Sequence, residues 1–376
     1  MDNPFIFNGY KGTQYFCDRE EELKSLVQFA ESGINVTLIA QRRMGKTGLI
    51  FRLYDELKRT HSPIHPVYVD IFATRNLSEL NKTLASAILG TFQEESSISK
   101  RFLNMLKGVR PLIGVDQLTG MPQLQFTYRN DAEKEITLES LLMFLEEQKT
   151  PVLLTIDEFQ QIRDYSEGNV EALLRTLMQR LHNVRFIFCG SKKHMMVDIF
   201  SNPQRPFFAS TQFIGIQPIS IESYTKHIKA MFAMGGKTIS DEAISQILSW
   251  TRRHTYYTQR LCHDVYDAED SHADEKTVDM CCDRILRMNE TYFLQYKQLL
   301  TPGQWNFLIA LAKEEQIMRP YANEFLSKYN IGATAVARRQ LSTLIEKDLI
   351  FEEVTKEESY YTVADLFLMR WLEREY

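Results

Sequence analysis

Residues 40–47, Ala-Gln-Arg-Arg-Met-Gly-Lys-Thr, have the residue types and the spacing of a phosphate-binding loop. Apart from the alanine in the first position, they fit the pattern Gly-x-x-x-x-Gly-Lys-[Ser/Thr]. In such a loop, successive main-chain amides and the positive end of the following helix hold anionic phosphates. Gly45 would let the main chain approach closely, the Lys46 ammonium would contact the β- and γ-phosphates, and the Thr47 hydroxyl would ligate Mg²⁺. The residues predicted to surround the phosphates are Ala40, Gln41, Arg42, Arg43, Met44, Gly45, Lys46, Thr47 and Gly48.

Two adjacent acids, Asp157 and Glu158, follow the apolar run at residues 152–156. The carboxyl ends of parallel strands are where ligands bind in open α/β sheets, so Asp157 is a candidate ligand of the Mg²⁺ ion. Glu158 would orient or deprotonate the water that attacks the γ-phosphate. Taken alone, both acids are equally typical of a loop that follows a strand. The phosphate-binding loop upstream favours the catalytic interpretation.

Ser191 lies two residues after a further predicted strand at residues 185–189. A polar side chain there would lie between the two motifs and could sense the γ-phosphate or hold the attacking water. The alternative is that Ser191 caps a helix that begins near Lys192. The predicted catalytic set is Glu158, Lys46 and Ser191, and the predicted metal ligands are Thr47 and Asp157.

Short apolar runs alternate with helical periodicity over residues 33–218, which predicts an open parallel α/β sheet. The pattern after residue 218 is helical to about residue 296. The last segment has helices, a turn and a hairpin predicted at residues 349–363, and it looks like a winged helix-turn-helix. The predicted domains are a nucleotide-binding domain at 1–218, a helical lid at 219–297 and a winged helix at 298–376.

Five segments together resemble the archaeal-type ATPases of the STAND branch of AAA+-related P-loop NTPases. They lie at residues 16–23, 42–47, 156–160, 188–191 and 254–259. The resemblance implies ATP as the nucleotide, a sheet ordered 5-1-4-3-2, a helical lid and a carboxyl-terminal winged helix. It also implies that the segment containing Phe16 and Arg19 touches the adenine. Where the family has a Gly-Arg in the loop before the fifth strand, this chain reads Pro-Phe-Phe-Ala-Ser at 206–210, so only Arg205 is left there as a displaced substitute for a trans-acting arginine.

The composition bears on the partners and the cellular compartment that we expect for the protein. A net charge of -5 and a pI of about 6.0 argue against a protein that coats nucleic acid through bulk charge. The five cysteines are odd in number and form no Cys-x-x-Cys pair, which is typical of reduced, cytoplasmic proteins. No signal peptide and no transmembrane run is recognisable, so we expect a cytoplasmic protein without a membrane partner.

The winged helix leaves two kinds of partner open. Arg338, Arg339 and Gln340 would lie near bases or phosphates if this unit read DNA. Four acids on the predicted wing would repel phosphate and favour docking to a protein; they are Glu352, Glu353, Glu357 and Glu358.

Two functions from different classes therefore compete. The first is a slow Mg²⁺-dependent ATPase that acts as a molecular switch, and the alternative is a non-catalytic nucleotide-bound adaptor or transcription regulator. The expected partners are an unidentified protein or, through the winged helix, DNA, with nucleotide-dependent self-association as a further option.

Overall fold

The computed structural model describes residues 3–92, 101–102, 104–106, 112–115, 122–354 and 359–376. It divides the chain into two compact units. The first comprises Asn8–Ile219, and the second comprises Ser220–Tyr376 together with the segment that ends at Phe7. The division into three domains remains a prediction.

The first unit is built on a parallel five-stranded sheet. The described strands of this unit are β1 Val36–Ile39, β2 His65–Asp70, β3 Leu112–Val115, β4 Pro122–Gln125, β5 Val152–Asp157, β6 Val184–Gly190 and β7 Gln212–Gly215. Of these, β3 and β4 pair with each other and do not belong to the main sheet. The described helices of the unit are α1 Glu20–Ser32, α2 Lys46–Arg59, α3 Leu77–Thr91, α4 Asp131–Glu146, α5 Val170–Met178 and α6 Lys193–Ser201. The main sheet has the order β2-β5-β6-β1-β7, and all its neighbouring strands run parallel. When only the five strands of this sheet are numbered along the chain, the order is 2-3-4-1-5. This confirms the predicted order 5-1-4-3-2, which is the same order read from the opposite edge.

Alternation along the strands places apolar side chains on both faces of this sheet. Val67, Val69, Leu154 and Ile156 belong to one core cluster, which also contains apolar residues of α3, α4 and α5. Leu38, Leu153 and Ile187 belong to the other, which contains residues of α1 and α2. Covered on both faces, the sheet fixes the carboxyl ends of β1, β5 and β6 beside one another.

The hairpin of β3 and β4 was not predicted. Leu112 pairs with Gln125 and Val115 with Pro122 in antiparallel register. The segment around residues 114–122 contains glycine and proline and has only a short apolar run, so its sequence looks like an irregular loop. Burial of Leu124, together with a hydrogen bond from its amide to Ser86 Oγ (3.2 Å), holds β4 in place.

The second unit contains a helical part and a winged helix. Its described elements are α7 Ile221–Met234, β8 Thr238–Ile239, α8 Asp241–Trp250, α9 Thr255–Ala268, β9 His272–Ala273, α10 Glu275–Leu299, α11 Pro302–Glu314, α12 Asn323–Lys328, α13 Thr334–Glu346, β10 Ile350–Val354, β11 Ser359–Val363 and α14 Leu366–Glu375. The predicted hairpin is confirmed by the antiparallel pairing of β10 with β11. The two-residue strands β8 and β9 interrupt a stretch that we predicted to be helical throughout, and they are too short to leave a period in the sequence. In the described part of the chain, no helix combines the length and the apolar character needed to cross a membrane.

The segment before Phe7 packs onto the helical part of this unit. Phe5 is buried, and its ring lies 5.4 Å from that of Phe232 and 5.9 Å from that of Tyr266. The Asn3 amide donates to the carbonyl oxygen of His263 (2.9 Å). Residues distant in sequence therefore complete one core.

The aromatic cluster beneath β5 and β6 provides a test of this core. Phe188 is 1% exposed, and its ring lies 4.5 to 5.4 Å from those of Phe159, Phe186, Phe200 and Phe207. We expect Phe188→Ala to lower the free energy of unfolding by about 3–5 kcal/mol, because it leaves a cavity among rings that cannot collapse.

The matched control is Phe72→Ala, since the Phe72 side chain is 59% exposed and we expect a change within about 0.5 kcal/mol. All three tryptophans lie in the second unit, so urea unfolding should be followed by far-ultraviolet circular dichroism. Equal losses in both variants would contradict the assignment of this cluster to the core.

Candidate functional site

The predicted phosphate-binding loop connects the end of β1 to the start of α2. The Ala40 amide donates to the Gly190 carbonyl at the end of β6 (3.4 Å), which fixes where the loop begins. Arg43 and Gly45 adopt left-handed conformations (φ 63° and 88°), and the second is one that glycine adopts without strain. No side chain caps the start of α2, so its first main-chain amides are not occupied by a cap.

Lys46 is buried and lies against both predicted acids. Its Nζ is 2.5 Å from Asp157 Oδ1 and 3.0 Å from Glu158 Oε1. Burial by itself would lower the pKa of the Lys46 ammonium, but the Asp157 carboxylate, with Cys189 and Glu158, outweighs this effect and raises the pKa. Lys46 is therefore charged, and it joins the loop after β1 to the end of β5.

Asp157 is also buried, and its second oxygen accepts two hydroxyl hydrogen bonds. Thr47 Oγ1 donates to Asp157 Oδ2 (3.0 Å), and so does the Tyr68 hydroxyl on β2 (2.8 Å). Burial would raise the pKa of the Asp157 carboxyl, but the Lys46 charge and the hydrogen bonds lower it. The carboxylate is thus ionised and held on both oxygens.

Glu158 turns back towards the loop because its main chain is left-handed (φ 56°). Its Oε2 accepts from Ser191 Oγ (2.7 Å) and from Gln160 Nε2 (2.5 Å). Lys192, not Ser191, is the residue at the N-cap of α6. The structure therefore brings Lys46, Thr47, Asp157, Glu158 and Ser191 into one contiguous cluster.

Two residues were suggested for contact with adenine. Phe16 lies near the phosphate-binding loop, whereas the Arg19 guanidinium forms its hydrogen bonds with residues outside that loop. A Cβ added to Gly48 would be 3.1 Å from the Phe16 ring, so Phe16 packs against the first turn of α2. Arg19 is buried and donates to the Gln217 carbonyl (2.5 Å) and to Glu22 Oε1 (3.0 Å). Their contact with adenine stays a prediction.

The remaining loop residues differ in exposure. Arg42 and Arg43 are exposed, Gln41 is half-buried, and Met44 is buried in the core on the α2 side of the sheet. Arg205 forms ion pairs within its own unit, with Asp198 (2.8 Å) and Glu171 (3.2 Å).

Sequence reasoning missed Tyr68 and Gln160. Alternation in β2 gave a signal for Tyr68, because Val67 and Val69 point to one face and therefore leave Tyr68 on the face that α2 covers. Gln160 lies in the segment 156–160 that carries the family resemblance, but no role was predicted for it. Its approach to Glu158 depends on the left-handed residue before it and on the short 3₁₀ helix Phe159–Asp164.

The donor set at this cluster is mixed. In the part of the chain that the structure describes, no group of three or more His, Cys, Asp or Glu side chains is arranged to hold a metal ion. The Thr47 hydroxyl and the Asp157 carboxylate fit instead a hard cation that takes most of its ligands from phosphate and water.

A second candidate surface lies on α13 of the winged helix. Arg338 and Arg339 are exposed there, and the same face carries Glu346. The Arg338 guanidinium lies 5.4 Å from the centre of the Tyr321 ring. On the adjacent hairpin, Glu352 accepts a hydrogen bond from the Tyr361 hydroxyl (3.0 Å). Glu357 and Glu358 lie outside the described residues.

Residues 16–251 match a family described as "ATPase domain predominantly from Archaea". Residues 291–374 match a family described as "probable winged helix domain". A search of curated proteins finds no match.

The structure is similar to solved structures at low sequence identity. A Walker-type ATPase of Pyrococcus abyssi is 17% identical, with a TM-score of 0.67 over 98% of this chain and 99% of that chain. The ORC1 protein of Aeropyrum pernix, solved in complex with DNA, is 12% identical, with a TM-score of 0.54 over 100% and 97%. The ORC2 protein of the same organism, solved as ADPNP–ADP complexes, is 14% identical, with a TM-score of 0.55 over 99% and 96%. At these identities the likeness shows the fold alone.

The buried charges of the cluster allow a test of their mutual dependence. In Lys46→Met, burial would act on Asp157 without an opposing cation, so we expect a loss of about 3–5 kcal/mol in the free energy of unfolding at neutral pH. The pKa of Asp157 in the folded variant would then lie above its unfolded value, and the loss should shrink as pH falls through it. The double variant Lys46→Met/Asp157→Asn should recover much of the loss at neutral pH.

The measurement is urea unfolding by circular dichroism between pH 7 and pH 5. A single variant that is as stable as the parent, or a double variant that is less stable than the single one, would refute the electrostatic account.

Proposed function

The chain belongs to the family of ATPase domains found predominantly in Archaea, and from this premise we propose that it binds ATP with Mg²⁺ and hydrolyses it as a molecular switch. The contact of Lys46 with both Asp157 and Glu158 carries the proposal. This contact brings together the lysine proposed to bind phosphate, the proposed Mg²⁺ ligand Asp157 and the proposed base Glu158. Assignment to the STAND branch and a cytoplasmic location are parts of the same proposal.

Main-chain amides at the start of α2 would hold the phosphates, with Gly45 shaping the turn and Lys46 supplying positive charge. Thr47 and Asp157 would hold Mg²⁺, which would supply charge neutralisation between phosphate oxygens. Tyr68 would keep the Asp157 carboxylate in position. Phe16 and Arg19 are proposed adenine neighbours by resemblance to the family.

Glu158 would take a proton from the attacking water. In the structure its Oε1 is paired with Lys46 (3.0 Å). Because Lys46 is also the phosphate-binding residue, drawing its ammonium towards phosphate would uncover this oxygen. The base would therefore become available only when the phosphate is in place.

The winged helix would transmit the nucleotide state to a partner, and we propose that this partner is a protein. Glu346 shares a face with Arg338 and Arg339, and Glu352 and Glu353 lie on the hairpin. This mixture of charges is a poor match for a phosphate backbone. DNA binding is the alternative, and it is favoured by the likeness to an ORC1 protein solved with DNA. Self-association that depends on nucleotide remains part of the proposal.

The catalytic assignment predicts different effects for two variants. Glu158→Gln should bind ATP·Mg²⁺ with unchanged affinity but lose roughly 10²–10⁴-fold in turnover, because it removes the base and keeps the shape. Lys46→Ala should lose binding. Isothermal titration with a non-hydrolysable ATP analogue and phosphate release with ATP measure the two effects. Normal turnover in both variants would refute an ATPase.

The partner assignment predicts weak or no binding of the 376-residue chain to duplex DNA. Fluorescence polarisation with a labelled duplex, titrated at 50 and 200 mM salt with and without the ATP analogue, provides the measurement. Binding that falls steeply between these salt concentrations and weakens in Arg338→Ala/Arg339→Ala would instead establish a DNA-contacting winged helix.

A further inference from the structure

The two oxygens of the Glu158 carboxylate have different partners. Oε1 accepts from Lys46, which belongs to the phosphate-binding loop. Oε2 accepts from Ser191 (2.7 Å) and from Gln160 (2.5 Å), which lie outside that loop. One oxygen is therefore paired with a group that the ligand would attract, and the other with groups fixed to β6 and to the 3₁₀ helix after β5.

Gln160 is built rigidly into this position. It is 4% exposed, and its Oε1 is buried without a hydrogen-bond donor among the described residues. The opposite orientation of the amide would place Oε1 against the Glu158 carboxylate, so the amide nitrogen must face Glu158. A buried acceptor left unpaired is unfavourable, and a methionine or leucine would fill the same space without that penalty. The Gln160 amide is therefore explained by its hydrogen bond to Glu158 and not by packing in the core.

Gly190 makes room for this side chain. A Cβ at position 190 would lie 2.7 Å from Gln160 Oε1 and 2.4 Å from the Met196 side chain. Any other residue at the end of β6 would therefore push Gln160 or Met196 aside. Gly190 also accepts the hydrogen bond of Ala40, so the end of β6 connects the start of the phosphate-binding loop with the support of Glu158.

We propose that Gln160 is a positioning residue for ATP hydrolysis, acting with Ser191 to hold Oε2 so that Oε1 faces the attacking water. This inference rests on the proposed function. In the step it serves, the water oxygen bonds to the γ-phosphorus and Glu158 Oε1 takes the water proton. The bond from the γ-phosphorus to the β–γ bridging oxygen breaks, and ADP leaves with the electron pair. A carboxylate held at one oxygen keeps the other in line for this proton transfer.

The test compares Gln160→Met with Gln161→Met in the 376-residue chain. Methionine keeps the length and volume of the side chain but cannot donate to Glu158. We expect Gln160→Met to lower kcat roughly 10- to 100-fold, as expected for a misplaced reacting group, while the affinity for the ATP analogue with Mg²⁺ stays within about twofold. Gln161 is half-buried and is not placed in the site, so Gln161→Met should retain the parent kcat.

A second variant disturbs the hydrogen bond between Gln160 and Glu158 without changing either residue. Gly190→Ala should displace the Gln160 amide and lower kcat with the analogue still bound, and Gly190→Ala/Met196→Ala should show the same loss after the clash with Met196 is removed. These variants keep the proposal testable even if Gln160→Met fails to fold.

The outcomes separate the two proposals. Parent-like kcat in Gln160→Met would overturn the role of Gln160, as would a parallel loss of kcat, analogue affinity and Tm, which marks a structural residue. In either case a turnover-deficient Glu158→Gln would leave the proposed function standing. Parent-like kcat in Glu158→Gln would overturn the role of Gln160 together with that of Glu158, and the proposed function would fall with them only if Lys46→Ala also turned over normally.

Discussion

A buried ammonium group between two carboxylates is the constraint on which the rest of the site depends. Lys46 and Asp157 are each less than a tenth exposed, and neither charge is tolerable there without the other. Lys46 and Glu158 are 112 positions apart in the sequence, so this charge balance can be met only if the ends of β1 and β5 are brought together. Parallel strands covered by helices on both faces provide that geometry, because all their carboxyl ends meet at one edge.

The hydrogen bonds around this centre are arranged in two sets. Thr47 and Tyr68 hold one oxygen of Asp157, and Ser191 and Gln160 hold one oxygen of Glu158. Lys46 takes the remaining oxygen of each acid. Each carboxylate therefore has one side held by rigid elements and one side paired with a group that phosphate would attract. Such an arrangement lets a ligand change the exposure of both acids without moving a strand.

The sequence predicted the parts of this site that follow from local pattern. Residues 40–47 and Asp157 were recognisable because a strand, a tight turn and a helix start leave period and residue-type signals. The resemblance to archaeal-type ATPases and the sheet order are confirmed, as is the winged helix. The roles of individual site residues remain predictions.

What the sequence did not predict depends on tertiary contacts. Gln160 reaches Glu158 only because position 158 is left-handed, and no residue type marks that conformation. The hairpin of β3 and β4 is held by burial of Leu124, although its local sequence is typical of a loop. The burial of Phe5 leaves no periodic signal in the sequence, because its partners Phe232 and Tyr266 come more than 220 residues later.

That last feature has a consequence for biosynthesis. The segment that contains Phe5 is synthesised before either of its partners, and Tyr266, which completes its pocket, is made 261 positions later. At roughly 5–20 residues per second, this phenylalanine waits on the order of 13–50 s before its pocket is complete. The nucleotide-binding unit, Asn8–Ile219, is synthesised entirely within that interval. Translation therefore imposes an order of assembly, in which the unit Asn8–Ile219 can form before the segment that contains Phe5 is secured.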